Sequence, residues 1–140
     1  MHSRSKVFQI AYAVTAWLFV VGILMQVFLV GLSLLGQRPS WEIHVGLGHT
    51  LSILALLLVI LAYVGKLPRA FKRLTWLALA IYILLADVVI FMRESAPVVA
   101  ALHPVLAITL FAVTTNLALR ATRFVQLPIV ATTHEASEIA

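Results

Sequence analysis

Apolar residues run almost unbroken through four stretches of this chain, at residues 7–35, 41–64, 74–92 and 98–119. Short polar clusters separate them. Each stretch is close to or above the ~20 residues that carry a helix across a bilayer. The first is long enough to tilt or to project beyond the hydrocarbon. The clusters are punctuation for helices. Gly36-Gln37-Arg38-Pro39-Ser40 ends the first run and offers Ser40 as an N-cap for the second. Trp41 suits the interfacial aromatic belt, and Glu42 suits the positive end of a helix dipole. Arg93-Glu94-Ser95-Ala96-Pro97 forms the last turn, with Pro97 at a first helical position.

The pattern predicts an all-α integral membrane protein, a four-helix up-down bundle over residues 1–123 with a polar tail at 124–140. Composition agrees: of 140 residues, 63% are hydrophobic and 11% charged, with a mean hydropathy of +1.09. A soluble domain keeps about a quarter of its residues charged. The basic start, Met1 to Lys6, is read as the flank of a retained first span. The apolar run behind it is too long for a signal peptide and lacks a small-residue cleavage site.

Charge then sets orientation. The N-terminus, the segment 65–73 (four cations in nine residues) and Arg120 with Arg123 are basic. The other two connections each hold one arginine and one glutamate. The positive-inside rule predicts both termini in the cytoplasm of a multi-pass protein of a bacterial inner membrane. The net charge of +5 therefore lies at span ends, and no basic stripe with interleaved aromatics points to nucleic acid. The two halves share a hydropathy plan, while their residue-level match looks poor. The absence of cysteine excludes disulfides, thiolate metal sites and covalent haem attachment.

The candidate chemistry lies in two helix starts. His44 and His49 open the second span and His103 opens the fourth. Ionisable groups within membrane spans are functional candidates by default. In the predicted topology these two spans are parallel, which puts His44 and His103 at similar depth. Two neutral imidazoles on facing helices suit the two axial positions of one haem iron. Gly48 and Ala107, one turn beyond each histidine, leave room for a flat ring, and Pro104 frees a carbonyl one turn earlier. Arg38 and Arg93 match propionates with a forked set of donors. His49 points to a different side of the helix at a depth like that of His103, so it stands as the alternative to His44. Asp87 and Gln26 are the other polar groups well inside the spans. His49 and Asp87 fall at similar depth and are expected either to pair or to serve a proton path or quinone site.

His44-x-x-Leu47-Gly48, Gln26-Val27-Phe28-Leu29-Val30-Gly31 and Leu102-His103-Pro104-Val105 resemble an uncharacterised family of small four-helix bacterial membrane proteins. That resemblance covers residues 7–120, and it departs at Asp87, where the family often has glutamine. The architecture also resembles one half of haem A synthase, which carries a histidine in its second and fourth helices. The long outer loops and second half of that enzyme have no counterpart here. The resemblance implies the fold and a b-type haem site without the synthase activity. The expected function is a small membrane cytochrome, an electron carrier rather than a stand-alone enzyme. It would hold non-covalent haem b through His44 and His103 and exchange electrons with a quinone or a redox protein. The alternative is an accessory subunit of a larger respiratory or photosynthetic membrane complex, or a homo-oligomer, with or without haem. Transport through His49, Asp87 and Gln26 is disfavoured, because no pair of discontinuous helices is evident.

Overall fold

A computed structural model describes the backbone of residues 2–37 and 39–138, and the side chains of residues 5–37 and 39–126. The chain forms helices α1 (His2–Leu34), α2 (Pro39–Val64), α3 (Arg69–Phe91), the single turn α4 (Pro97–Ala100) and α5 (His103–Glu138). Within α3, residues Leu84–Val88 are π-helical. Four segments are long and apolar enough to cross a membrane: Ser5–Leu34, Pro39–Val64, Arg69–Phe91 and Pro97–Gln126. Each long helix packs on its neighbour in the chain, and α1 also packs on α5.

The core comes from one stripe of each helix. Tyr12, Ala16, Phe19 and Ile23 on α1 recur at helical spacing, as do Leu51, Ala55, Leu58 and Ala62 on α2. Phe71, Thr75, Ala78 and Tyr82 supply α3, and Leu110, Thr114, Leu117 and Ala121 supply α5. Alanines at the contacts let the backbones approach, as membrane helix packing favours. At Gly22 a side chain would collide with Leu51 across the α1–α2 contact. The outer faces carry Val14, Leu18, Ile53, Ile60 and Ile108, all more than half exposed. Such a surface suits lipid, where association rests on packing rather than on escape from water.

The helix boundaries depart from the sequence expectation at five places. The first helix begins at His2, five residues before the apolar run. Its polar start is anchored, because Ser5 and Gln9 both donate to the carbonyl of Gly65 at the end of α2. Ser40 is not the N-cap: α2 already starts at Pro39, and Ser40 is buried with its N–H on Gln37. The third helix begins at Arg69, because the carbonyl of Pro68 takes the N–H groups of Phe71 and Lys72. Three of the four cations expected in a loop therefore stand on the first turns of α3. Pro104 has no N–H to give the carbonyl one turn back, and the fourth span breaks at Ala101–Leu102 rather than bending. Helix α5 then continues through the expected tail to Glu138.

Both tight turns are Schellman caps. Gly36 (φ 86°) ends α1 with bonds from Gly36 to Ser33 and from Gln37 to Leu32. Lys66 (φ 52°) ends α2 with the same pair of bonds, from Lys66 to Tyr63 and from Leu67 to Ala62. Lysine holds a left-handed position there that glycine would hold without strain.

Candidate functional site: a histidine pair between two equivalent halves

His44 and His103 meet. Their ring centres are 6.4 Å apart, with the planes inclined at 56°. Both are half-buried. Each ring is tied to the helix that precedes its own in the bundle. Nδ1 of His44 lies 3.2 Å from the carbonyl of Gln26, and Nδ1 of His103 lies 3.2 Å from the carbonyl of Leu85. A carbonyl only accepts, so each Nδ1 serves as the donor. In a neutral ring that leaves Nε2 as the lone-pair nitrogen, the arrangement in which an imidazole ligates through Nε2 while a backbone carbonyl orients it. Leu85 belongs to the π-helical stretch, a feature frequent at functional sites. Trp41 stacks on the His44 ring at 5.3 Å and 17°.

Beyond the pair, Gly48 lies beside Gln26. A Cβ there would stand 3.1 Å from the Gln26 amide nitrogen, so the space expected for a flat ring is shared with that side chain. Tyr82 on α3 donates to the carbonyl of Gly48 and joins the two helices one turn from His44. The Gln26 Oε1 is buried without a hydrogen-bond partner among the described residues. Leaving a buried acceptor unpaired costs about 1–3 kcal/mol.

The other sequence candidates sit apart from this centre. His49 is exposed, and its Nδ1 lies 2.9 Å from the carbonyl of Val45 in its own helix. Asp87 is also exposed, and among the described residues no hydrogen bond or ion pair joins it to His49. The expected pair is not formed, because both side chains point out of the bundle. Of the two histidines on α2, it is His44 that faces His103. Arg93 stands exposed in the turn after α3, 3.6 Å from Glu94. Arg38 lies outside the described residues.

The contacts also supply a register for the two halves. An offset of 59 residues, the separation of His44 and His103, pairs Gln26 with Leu85, Gly48 with Ala107 and Thr50 with Thr109. It also pairs the buried residues Leu51 with Leu110, Leu58 with Leu117 and Ala62 with Ala121. The hydrogen bonds obey it. Trp17 donates to Thr122 of the other half, and Trp76 donates to Tyr63, its equivalent in the first half. The match is confined to the α2 and α5 stripes; on α1 and α3 the same offset sets Ala16 against Thr75, Phe19 against Ala78 and Ile23 against Tyr82. Sequence reading missed the roles of the Gln26 and Leu85 carbonyls, since a backbone acceptor leaves no residue signature.

The fold and site define a class: a four-helix membrane bundle, built from two equivalent helix pairs, with one histidine from each pair meeting between them. Residues 26–89 match a family model described as a family of unknown function, DUF6220. The matched segment opens at Gln26, contains His44, Gly48 and Tyr82, and ends at Val89, before His103. No curated protein and no solved structure matches the chain.

Proposed function

We infer that the protein is a small membrane cytochrome that holds one non-covalent haem b between His44 and His103. The observation that carries this reading is the paired tether: both histidines are fixed through Nδ1 by carbonyls at matching positions, which leaves Nε2 for a ligand. The two rings stand close enough for a single metal to be held between them. The observed separation is 6.4 Å. Among the described residues, no group of three or more His, Asp or Glu side chains comes together. A metal held by two histidines fits best if it brings its remaining ligands with it, as a porphyrin does.

In this reading the chain's residues bind, orient and insulate. Gln26 and Leu85 fix the ring angles through their carbonyls, and Trp41 covers one face of His44. Arg93 supplies a cation near the end of α3 for a propionate, with Glu94 as its resting partner. The haem supplies one-electron exchange. Its donor is a quinol or a protein partner, and the unpaired Gln26 Oε1 offers an acceptor to a quinol hydroxyl. The bundle runs up and down with both termini in the cytoplasm of a bacterial inner membrane, and the histidine pair lies toward the outer face. The test is an optical spectrum of protein purified with ample haem supply, with each histidine replaced in turn.

A second reading, an accessory subunit of a larger membrane complex, is favoured by the fourth span. It is the least covered of the four, with Val98 84% and Ile108 71% exposed. Stable co-purification with a larger assembly would support it, with or without haem.

A further inference from the structure

At the end of the bundle opposite the histidines, an open groove of about 380 Å³ is lined by Tyr63, Arg69, Lys72, Arg73 and Trp76. We propose that this groove binds the phosphate headgroup of an anionic phospholipid from the surrounding bilayer. Three cations converge on it from the first turns of α3. The Lys72 ammonium stands 4.6 Å above the Tyr63 ring, and the Trp76 indole donates to the Tyr63 hydroxyl at 3.1 Å. The aromatic wall is thus held by its own bond rather than by the ligand. Among the described residues no carboxylate lies in ion-pair distance of the three cations.

The equivalence of the halves provides an internal control. The Trp76–Tyr63 bond has its counterpart in Trp17–Thr122, so the indole–hydroxyl bond belongs to the fold. The cations do not. The positions equivalent to Arg69, Lys72 and Arg73 are Ile10, Ala13 and Val14. Positive charge at a loop suffices to orient a membrane protein. Here the charges leave the loop, climb onto the helix and surround a groove bordered by interfacial tryptophan and tyrosine. Basic pockets between membrane helices on the cytoplasmic side suit anionic headgroups, and each basic residue near such a surface is worth roughly fivefold in binding. The membrane supplies this ligand at the depth where the groove opens.

The proposal is independent of the haem reading and is tested on the whole protein. Delipidated protein is titrated with phosphatidylglycerol, phosphatidylcholine or inorganic phosphate and followed by native mass spectrometry. The expected result is retention of phosphatidylglycerol in preference to phosphatidylcholine, with inorganic phosphate alone neither binding nor competing at millimolar concentration. Lys72→Gln with Arg73→Gln, which leaves Lys66 and Arg69 to orient the chain, is expected to lower that preference roughly twenty-fivefold. Trp76→Phe keeps every charge and loses the bond to Tyr63; it is expected to weaken binding severalfold and serves if the charge variant fails to fold. Equal retention of both lipids, binding of inorganic phosphate alone, or folded variants that bind as the parent does would overturn the proposal.

Discussion

Leu58 and Leu117 test the equivalence of the halves and the membrane reading together. They occupy matching positions on α2 and α5 and are 1% and 0% exposed. In a water-soluble core, Leu→Ala costs about 2–5 kcal/mol, because the lost transfer from water adds to the cavity left behind. In a bilayer the separated helices still bury leucine in hydrocarbon, so the transfer contribution disappears and the cavity remains. Truncation removes roughly 80 Å³, and at about 24 cal/mol per Å³ the ceiling is about 2 kcal/mol. Partial collapse brings the expectation to about 1–2 kcal/mol for each variant. The two values should agree within ~0.5 kcal/mol, given the matched burial. Reversible unfolding in mixed micelles, with sodium dodecyl sulfate as denaturant, reads both. A cost well above 3 kcal/mol would refute the reasoning about solvent. A cost near 2 for one leucine and near zero for the other would refute the equivalence.

Three further outcomes follow from local geometry. Lys66→Gly should raise stability by roughly 1 kcal/mol in the same assay, because it removes left-handed strain from the α2 cap, whereas Gly36→Ala should lower it by about as much. A loss of stability in Lys66→Gly would show that the lysine side chain contributes more than its backbone strain costs. Tyr12→Phe breaks the buried 2.6 Å hydrogen bond to Thr75 and should cost about 0.5–1.5 kcal/mol, and a neutral result would mean that Thr75 is content with its own bond to Phe71. Gln26→Leu places in the first half the residue that the second half already has. It should stabilise ligand-free protein by about 1 kcal/mol, since a buried oxygen without a partner is removed, and a destabilised variant would mean that this oxygen is paired.

The four spans were legible because hydrocarbon imposes length and polarity on each of them. Their ends were less so. Helices here continue past the apolar runs wherever a polar group finds a carbonyl, as Ser5 and Gln9 do at Gly65. His44 and His103 were legible as a pair from depth alone. Which of His44 and His49 meets His103 depends on the face each presents, and residues five apart on one helix differ in that respect without any difference in hydropathy. The π-helical stretch at Leu84–Val88 was not legible, since nothing in Leu-Leu-Ala-Asp-Val distinguishes it from an ordinary turn. The bond to the histidine does not account for it, because the Gln26 carbonyl reaches His44 from an ordinary α-helix as the Leu85 carbonyl reaches His103. Asp87 misled because depth was read as burial: an acidic residue within a span still has an outward face.

The central claim concerns the paired histidines, and the reduced-minus-oxidised optical spectrum tests it most directly. The account predicts a low-spin haem b spectrum from the purified protein. His44→Ala or His103→Ala should abolish that spectrum in folded protein, while His49→Ala should leave it intact. Colourless, folded protein under ample haem supply would contradict the account, as would a spectrum that depends on His49 and survives the loss of His44.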